Sequence, residues 1–486
     1  MRTRFAPSPT GFLHVGGLRT ALFAWLIAKK TGGTFTLRIE DTDQAREVEG
    51  ATAMIVRTLE KAGIPPDEGV MLDAVGTIME KGDYGPYHQS KRLPIYREYI
   101  DALLKSGHAY HCFCTSERLE QMRKKQQELR QAPMYDRTCA DLSADEVQKR
   151  IAAGEKHVIR MKIPREETIT YDDAIYGALS FKGYTVDDQV LLKSDGFPTY
   201  HLAHAVDDHL MKTDIVIRGE EWLSSLPKHL LLFRFLGWEA PKYAHVPLLL
   251  NKDRTKLSKR QNDVAAEDYL TKGYLPEALL NFLVLLGWNP GTEQEIFSLE
   301  ELVQAFTLER VQKSGAIFDT EKLDWVQGQW MRRIPLSEFV SRIRPLVEAQ
   351  YSAAKDDQSF TERAALIQER ITFLSDAPEM LSFLYVTPAP TMELVASPKQ
   401  KITPEIVPTI VDMLVKELGK IDGGTWNRDE IVKVLEAAIP SSGLKKGQVL
   451  WPLRAIVTGK EFSPGAYEVA ALLGKDETLK RLQAFA

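Results

Sequence analysis

The sequence predicts an α/β protein whose N-terminal part alternates strands and helices and whose C-terminal part is all helical. Two observations predict this fold class. The first fifty residues have a strand–helix–strand pattern, which is typical of a parallel sheet. From about residue 331 the strand pattern is lost, and amphipathic helical segments alternate with loops containing Pro and Gly. The chain of 486 residues is long enough for roughly three domains.

The N-terminal unit begins with a predicted strand over residues 3–6 and a turn rich in Pro and Gly. Apolar spacing predicts a helix over residues 18–30, and alternation predicts a strand over residues 35–40. His14 and the two glycines after it stand where this helix begins. Helix N-termini attract phosphate, and glycine lets phosphate approach the backbone. The alternative is an ordinary tight turn with a chance histidine; the segment is not a G-x-G-x-x-G fingerprint.

The remaining elements follow in chain order. We expect helices and loops in residues 44–106, and a hairpin turn at residues 195–196. Further helices are predicted over residues 93–105, 116–132, 226–236, 276–286, 299–306, 318–323, 336–350, 361–374, 403–418 and 428–438. Strands are predicted over residues 156–163, 169–171, 179–181 and 214–218.

Composition and charge limit the classes of protein to which the chain can belong. No apolar run approaches the ~20 residues that span a bilayer, and the chain starts directly with a strand, so we expect no signal peptide. Three cysteines argue against a disulfide framework and are typical of a reducing cytoplasm. The net charge of −5 does not by itself indicate a nucleic-acid-binding protein. We therefore expect a cytoplasmic protein without a membrane segment.

A second chemical signal lies in residues 256–260, Lys-Leu-Ser-Lys-Arg, after an apolar stretch. Lys256 and Lys259 stand three residues apart in a predicted loop. Two such lysines can bind a triphosphate and stabilise the charge that develops in phosphoryl-type transfer. The alternative is a solvent-exposed basic loop without function.

All three cysteines of the chain fall in one stretch. Cys112 and Cys114 form a Cys-x-Cys pair, and Cys139 and Asp141 form a Cys-x-Asp pair. Three thiolates and one carboxylate are ligands that close a tetrahedral structural Zn²⁺ site. The alternative is three buried thiols that pack as small hydrophobic groups. The clustering of every cysteine favours zinc.

In this order, residues 14–17 and 256–260 resemble the His-x-Gly-His and Lys-Met-Ser-Lys-Ser signatures of class I aminoacyl-tRNA synthetases. Residues 6–11 (Ala-Pro-Ser-Pro-Thr-Gly) and 38–43 (Arg-Ile-Glu-Asp-Thr-Asp) are similar to glutamyl-tRNA synthetases in particular. Gly17 stands where many class I members have the second histidine. A subset of bacterial glutamyl-tRNA synthetases also resembles the cysteine pattern.

The resemblance covers essentially the whole chain and implies four segments. Residues 1–105 would be the first half of a Rossmann-like nucleotide-binding catalytic domain, and residues 106–193 an inserted α+β domain that holds the tRNA acceptor end. Residues 194–330 would be the second half with the lysine loop and tRNA stem contacts. Residues 331–486 would be the all-α anticodon-binding region, of one or two subdomains.

The resemblance also implies the site residues. The catalytic residues would be His14, Gly16, Lys256 and Lys259, and the ATP site would add Gly17, Glu221, Trp222, Leu249 and Ser258. The glutamate site would contain Arg4, Ser8, Glu40, Tyr200, His204 and Arg218. Within it Glu40 would pair with the ammonium group and Arg218 with the γ-carboxylate, while His204 stands where other members have Asn.

The C-terminal region offers residues for anticodon contacts. Unstacked RNA bases are contacted by Arg, amide and aromatic side chains. The candidates are Gln368, Arg370, Gln448, Trp451 and Arg454. A helix start with a solvent-exposed lysine pair is the alternative explanation for residues 441–454.

The implied reaction is ATP-dependent ligation of L-glutamate to tRNA(Glu) through a glutamyl-adenylate. Mg²⁺ would accompany ATP, and we expect a monomer. Three alternatives remain: a glutaminyl-tRNA synthetase, which would have a β-barrel C-terminal region; a tRNA-modifying paralogue, which would lack the anticodon region; and a non-enzymatic RNA-binding paralogue, against which the intact site residues argue. Charging of tRNA(Gln) is left open.

Overall fold

A computed structural model describes residues 1–257 and 265–485 of the chain. The chain forms two compact units, Met1–Leu323 and Asp324–Ala486. Ser258 and Lys259 of the predicted ATP site lie outside the described residues. Among the helices of the described part, none combines the length and the apolar character that crossing a membrane requires.

The first unit is of the α/β class, as predicted. Its strands are β1 (Thr3–Phe5), β2 (Phe35–Leu37), β3 (Glu68–Leu72), β4 (Ile78–Lys81), β5 (Ala109–Cys112), β6 (Val158–Met161), β7 (Thr168–Asp173), β8 (Gly177–Lys182), β9 (Val190–Leu192), β10 (Ile215–Gly219), β11 (Lys242–Val246), β12 (Leu249–Leu250) and β13 (Ala316–Ile317). Its helices are α1 (Val15–Lys30), α2 (Ala51–Lys61), α3 (Leu93–Lys105), α4 (Ser116–Glu128), α5 (Ala144–Ala152), α6 (Tyr200–Leu210), α7 (Leu226–Phe235), α8 (Ala266–Thr271), α9 (Pro276–Leu285) and α10 (Leu299–Ala305). A further helix, α11 (Thr320–Arg333), runs across the boundary between the two units.

A six-stranded sheet is the framework of this unit. Its strand order is β11-β10-β1-β2-β3-β4, and every neighbouring pair is parallel except β3 and β4. The chain leaves β1 toward β2 on one side, and β10 lies on the other side, so the strand order reverses at β1. Ligands of such sheets bind at the carboxyl ends of the strands beside this reversal.

Helix α1 packs on the sheet through an apolar face. Leu18, Leu22 and Leu26 are fully buried, and Thr3 Oγ1 donates to the Ala24 carbonyl at 2.8 Å. The helix starts one turn before the predicted residue 18. The reason is that His14 caps it: the His14 side chain accepts from the Gly16 N–H, so the backbone is helical from residue 15 onward.

The prediction that residues 44–106 contain only helices and loops is wrong. Strands β3 and β4 form an antiparallel hairpin, with Val70 opposite Glu80, and β3 extends the sheet beside β2. The pattern was missed because β4 lies at the sheet edge. Its adjacent residues Ile78 and Met79 are both exposed, so buried and exposed positions do not alternate.

The segment between α3 and α6 has its own small sheets. Strands β5, β6 and β9 form an antiparallel three-stranded sheet, and β7 and β8 form a hairpin. The charged helix α4 buries none of its residues and ends at Glu128, before the predicted end at residue 132. The hairpin packs against the edge strand β11, where the Ala174 N–H donates to the Tyr243 carbonyl at 2.9 Å.

The second unit is helical, as predicted. Its helices are α12 (Leu336–Gln350), α13 (Phe360–Ala365), α14 (Ala377–Tyr385), α15 (Met392–Val395), α16 (Val407–Gly419), α17 (Arg428–Ala438), α18 (Lys446–Thr458), α19 (Ala466–Leu473) and α20 (Lys475–Phe485). Fully buried Ile410, Leu414, Val449 and Leu453 belong to one core of this unit. The predicted helix 361–374 is wrong beyond Ala365, because the chain there forms tighter turns such as the one closed by Arg370 N–H and the Ile367 carbonyl.

Candidate active site

A cavity of about 240 Å³ opens at the carboxyl ends of β1 and β10, where the strand order reverses. Among the residues that line it are Arg4, Ser8, Gly17, Glu40, Tyr200, Arg218, Glu221 and Trp222. The structure thus brings five of the six predicted glutamate-binding residues together with three predicted ATP-binding residues. His204, the sixth, does not line the cavity.

Arg218 is the central cation of this cavity. It lies in β10, and its side chain is only 4% exposed. Its Nε donates to Nε2 of His245 at 3.0 Å, and its Nη1 donates to the Tyr200 hydroxyl at 3.1 Å and to Nδ1 of His229 at 3.0 Å. Its Nη2 has a single, long contact of 3.4 Å with the Trp222 carbonyl. These acceptors carry no negative charge, and among the described residues Arg218 forms no ion pair.

Two other buried arginines near the cavity, Arg4 and Arg38, are neutralised by carboxylates. Arg4 pairs with Asp208 at 3.3 Å. Arg38 pairs with Asp208 at 2.7 Å and with Glu40 at 3.1 Å, and lies 3.8 Å from Asp207. Burial would raise the pKa of Asp208, but Arg4 and Arg38 outweigh it and hold that pKa below its ordinary value. Burial dominates at Glu40, and it raises the pKa of that carboxyl despite Arg38.

Two neutral histidines lie behind Arg218, outside the lining of the cavity: the buried His229 contacts Arg218, and the half-buried His201 contacts His229. Burial, followed by His204 and Arg218, lowers the pKa of His229 well below its ordinary value. Burial, followed by Lys228 and Arg218, lowers the pKa of His201 to about 3. The two rings are joined by a 3.0 Å hydrogen bond between His201 Nδ1 and His229 Nε2. Because Arg218 can only donate, His229 Nδ1 accepts, and its proton therefore lies on Nε2.

His204 stands behind the cavity rather than in its wall. It lies on α6, one turn after Tyr200, and is fully buried. Its Nδ1 lies 3.2 Å from Arg4 Nη2 and 3.1 Å from Asp208 Oδ2, and its Nε2 lies 3.1 Å from the Tyr243 hydroxyl. Its place in the structure is therefore that of a support for Arg4 and Tyr243.

Residues that flank the lysine loop lie near the N-terminus of α1. His14 Nδ1 accepts from the Gly16 N–H at 3.0 Å, and a Cβ added to Gly16 would lie 3.3 Å from that same nitrogen. Leu249 in β12 packs on Gly16, with 3.9 Å between its Cδ1 and the added Cβ. Lys256 forms an antiparallel bridge with Leu250 of β12, and Ala265, which follows the loop, forms an antiparallel bridge with His14. Both described ends of the lysine loop therefore lie beside the helix start.

This arrangement can bind a polyphosphate. The first turn of α1 presents backbone N–H groups, of which that of Gly16 is capped by His14, and the macrodipole favours an anion there. Lys256, at the described start of the lysine loop, is exposed to solvent. The cavity beyond offers the uncompensated charge of Arg218 and the carboxylate of Glu40 to a second ligand.

The three cysteines form a cluster away from this cavity. The sulfur atoms of Cys112, Cys114 and Cys139 all lie within 4.8 Å of one another. The Tyr135 hydroxyl is a close neighbour, 3.4 Å from the Cys112 sulfur and 3.2 Å from that of Cys114. The Asp141 side chain, in contrast, is 91% exposed and lies 3.8 Å from the Lys162 amine. The structure does not bring Asp141 to the cluster.

The anticodon candidates lie in the second unit, and most make contacts within it. Gln368 donates to two backbone carbonyls, at 2.8 and 3.0 Å, and Gln448 donates to the Lys401 carbonyl at 3.0 Å. Trp451 Nε1 donates to the Leu394 carbonyl at 3.1 Å. The guanidinium of Arg454 stacks on the Trp451 ring at 4.8 Å. Burial, followed by Arg370, lowers the pKa of Arg454, so these two arginines lie near each other.

Several residues of the site were not predicted from the sequence. Arg38 stands in the segment 38–43 that carried the resemblance, and its position next to Glu40 was a usable signal. His229, His245 and Asp173 gave no signal, because they come from α7, β11 and β7 and meet only in the fold. Tyr135 lies four residues before Cys139, and only the cluster geometry identifies it.

Comparison with known proteins agrees with this geometry. Residues 1–325 match the family described as tRNA synthetases class I (E and Q), catalytic domain, and residues 338–486 match the anticodon binding domain. A glutamate–tRNA ligase of Prosthecochloris aestuarii is 46% identical over 501 residues, which cover 99% of this chain and 97% of that protein. One of Finegoldia magna is 43% identical over 487 residues, covering 99% and 98%.

A solved structure is similar over the full length. It is that of a glutamate tRNA ligase from Elizabethkingia meningosepticum in complex with its amino acid. It has a TM-score of 0.87 and 35% identity to this chain, and covers 100% of this chain and 98% of its own.

Proposed function

The chain belongs to the class I tRNA synthetases of the glutamate and glutamine group, and from this membership we propose that it ligates L-glutamate to tRNA(Glu) with consumption of ATP. The reaction would proceed through a glutamyl-adenylate, which a ribose hydroxyl of the terminal adenosine of tRNA then attacks. Two substrate sites are needed for the first step, one for an amino acid with two carboxylates and one for a triphosphate.

The observation that carries the proposal is the uncompensated charge of Arg218. Arg4 and Arg38 each have a buried carboxylate partner, whereas Arg218 has only neutral acceptors. A buried guanidinium without a counter-ion favours an anionic ligand strongly, because the cost of its desolvation is offset only when the anion binds. The γ-carboxylate of glutamate supplies that anion, and the neutral amide of glutamine does not.

The opposite end of glutamate carries an ammonium group. Glu40 lines the same cavity and has its Oε1 bonded to Arg38 Nη2 at 3.1 Å, which fixes the carboxylate in place. Burial raises the pKa of Glu40, so an incoming cation would stabilise its ionised form. Glu40 and Arg218 together select an amino acid whose charges are arranged as in glutamate.

The triphosphate would lie at the N-terminus of α1. There the α-carboxylate of glutamate attacks the α-phosphorus, and pyrophosphate leaves in line. His14 and the helix N–H groups would bind the α-phosphate, and Lys256 with Lys259 would stabilise the pyrophosphate. Mg²⁺ bound to ATP would neutralise part of the phosphate charge. The chain's own contribution is positioning and charge stabilisation.

The test is ATP–pyrophosphate exchange by the purified protein with glutamate, glutamine or aspartate, each with and without tRNA(Glu) or tRNA(Gln). We expect exchange with glutamate and aminoacylation of tRNA(Glu). Exchange driven by glutamine would contradict the assignment of Arg218. Absence of exchange under every condition would favour a non-enzymatic RNA-binding protein. Aminoacylation of tRNA(Gln) with glutamate would extend the proposal to a second tRNA.

We also propose that residues 106–193 contact the tRNA acceptor end and that residues 331–486 contact the anticodon, in a cytoplasmic, monomeric enzyme.

Within residues 106–193 we propose a structural Zn²⁺ site. The Tyr135 hydroxyl lies 3.4 Å from the Cys112 sulfur and 3.2 Å from that of Cys114, the Cys114 and Cys139 sulfurs are 3.6 Å apart, and all three sulfurs lie within 4.8 Å of one another, which suits ligands of one tetrahedral ion. Zinc–sulfur bonds of ~2.3 Å place such ligands roughly 3.5–3.8 Å apart. Tyr135, and not Asp141, is therefore our choice for the fourth ligand.

A further inference from the structure

A buried row of three side chains, Asp173, His245 and Arg218, runs from the β7–β8 hairpin to the cavity. Asp173 Oδ2 lies 2.6 Å from His245 Nδ1, and Arg218 Nε donates to His245 Nε2 at 3.0 Å. The exposed fractions are 2% for Asp173, 0% for His245 and 4% for Arg218. Arg218 and His245 are register partners on the neighbouring strands β10 and β11. Asp173 comes from the segment 106–193, outside the main sheet.

The hydrogen-bond directions in this row are fixed by chemistry. A guanidinium only donates, so His245 Nε2 must accept with its lone pair. The imidazole proton then lies on Nδ1, where the Asp173 carboxylate accepts it. Burial lowers the pKa of His245 below its ordinary value, with Arg218 adding to this and Asp173 opposing it, so the ring stays neutral. Asp173 thus determines which nitrogen of His245 faces Arg218.

We infer that Asp173 and His245 are positioning residues that orient Arg218 for the γ-carboxylate of glutamate; this inference rests on the proposed function. A carboxylate in direct contact with Arg218 would also orient it, but would neutralise the charge that recognises the substrate. The imidazole inserted between them holds the guanidinium through a neutral acceptor. The orientation of Arg218 is therefore fixed while its charge remains available to the ligand.

The anchoring of Asp173 makes a one-atom test feasible. Its Oδ1 accepts from the backbone N–H groups of Ile175 and Tyr176, both at 3.0 Å, and of His245 at 3.3 Å. The variant Asp173→Asn keeps an oxygen acceptor at this position and places an NH₂ group where Oδ2 was. That group donates to His245 Nδ1, which moves the imidazole proton to Nε2 and sets it against the Arg218 Nε–H.

The experiment compares steady-state exchange or aminoacylation kinetics of the wild type and four full-length variants. We expect Asp173→Asn to raise the KM for glutamate roughly 10- to 100-fold, with the KM for ATP close to that of the wild type. In His245→Gln the amide can donate to Asp173 and accept from Arg218. We therefore expect the KM for glutamate of this variant to stay close to the wild-type value. The matched control is Asp172→Asn, the same change on the adjacent exposed residue of β7, which should leave all constants unchanged.

The outcomes separate the inference from the proposed function. An unchanged KM for glutamate in Asp173→Asn, with an active wild type, would overturn the positioning role alone. No glutamate-dependent activity in the wild type would overturn the proposed function and the inference with it. If Asp173→Asn also lowers the thermal midpoint, the pair His245→Gln and His245→Leu decides. Equal kinetics of the two variants would contradict the positioning role of Asp173 and His245. A raised KM for glutamate only in His245→Leu would support it.

Discussion

At the scale of single residues, the site depends on which buried charges are compensated. Carboxylates of Asp207, Asp208 and Glu40 surround Arg38, so that its charge serves the architecture of the sheet. Arg218, in contrast, has imidazole, hydroxyl and carbonyl acceptors only. Both arginines are almost fully buried. The difference in their partners, and not their burial, places one in the framework and leaves the other available to an anionic ligand.

The neutral histidines behind Arg218, His229 and its partner His201, should make the fold sensitive to mild acid. His201 has a pKa of about 3 in the fold, and an ordinary histidine pKa is about 6.5 in the unfolded chain. Between these values only the unfolded state binds the proton, so stability falls as the pH falls. Each such histidine contributes a slope of about 1.4 kcal/mol per pH unit.

We therefore expect the thermal midpoint to drop steadily from pH 6.5 to pH 5, above the range in which the carboxylates with lowered pKa, Asp173 and Asp208, take up protons. Scanning calorimetry over this range measures the drop. The variant His201→Gln retains a partner for His229 and should show a smaller slope, by about one proton. An equal slope in the wild type and His201→Gln would contradict the neutral state of His201.

At the scale of elements, helix α1 combines a structural and a chemical role in one residue. His14 caps the helix through its Nδ1, 3.0 Å from the Gly16 nitrogen, and also stands where the phosphate would bind. Two variants separate these roles, because asparagine is a good N-cap and alanine is not. We expect His14→Ala to lose about 1 kcal/mol of stability and His14→Asn to lose little.

Both His14 variants should lose roughly 10²-fold in the rate of ATP–pyrophosphate exchange, since each removes the imidazole from the phosphate site. Thermal unfolding and exchange rates measured on the same preparations test both parts. A wild-type exchange rate in His14→Asn would show that the imidazole serves only as a cap.

A second element, the cysteine cluster around α4, is predicted to depend on a metal. We expect about one zinc per chain in untagged wild-type protein, and close to none in Cys139→Ser, since three-thiolate sites close around one tetrahedral ion. Asp141→Asn should retain the zinc, because its side chain is 91% exposed. Tyr135→Phe should bind zinc more weakly.

Elemental analysis of the four proteins, followed by titration with a chelator, measures the zinc prediction. Loss of zinc in Asp141→Asn together with retention in Tyr135→Phe would reverse our choice of the fourth ligand. The absence of zinc from the freshly purified wild type would favour three buried thiols.

At the scale of the whole molecule, two units of different architecture would serve one tRNA. The anticodon candidate Arg454 has a restrained side chain, which stacks on Trp451 and donates to the Glu461 carbonyl at 2.7 Å. We expect Arg454→Ala to raise the KM for tRNA(Glu) by the equivalent of about 1–3 kcal/mol, and to reduce discrimination against anticodon variants.

Arg428 provides the matched control for Arg454. It lies in the same unit and is 54% exposed, with an ion pair to Glu468. Aminoacylation with tRNA(Glu) and anticodon-changed transcripts should show no effect of Arg428→Ala. Equal effects of the two substitutions would indicate general electrostatics and not anticodon contact.

Much of the fold was predictable because many helices and strands follow from the local spacing of apolar residues. Helices α12 (Leu336–Gln350) and α17 (Arg428–Ala438) have the predicted bounds, since each has a regular apolar stripe. The β3–β4 hairpin was missed because an edge strand with both faces exposed carries no alternation. The end of the helix predicted from residue 361 was missed because helical apolar spacing continues through Ile367 and Ile371 in a chain that no longer forms a helix.

The sequence alone determined the class of fold and supplied the candidates for the phosphate, glutamate and metal sites, because caps, spacings and short motifs are local properties. Only the tertiary structure decided how these residues act. Asp173 and His245 are 72 residues apart, and His245 and Arg218 are 27 apart. Their contact depends on the order of the strands and on a hairpin packed at the sheet edge. Burial in that arrangement keeps the histidines neutral, and these neutral partners leave the charge of Arg218 uncompensated. Neither property can be derived from the types of residue.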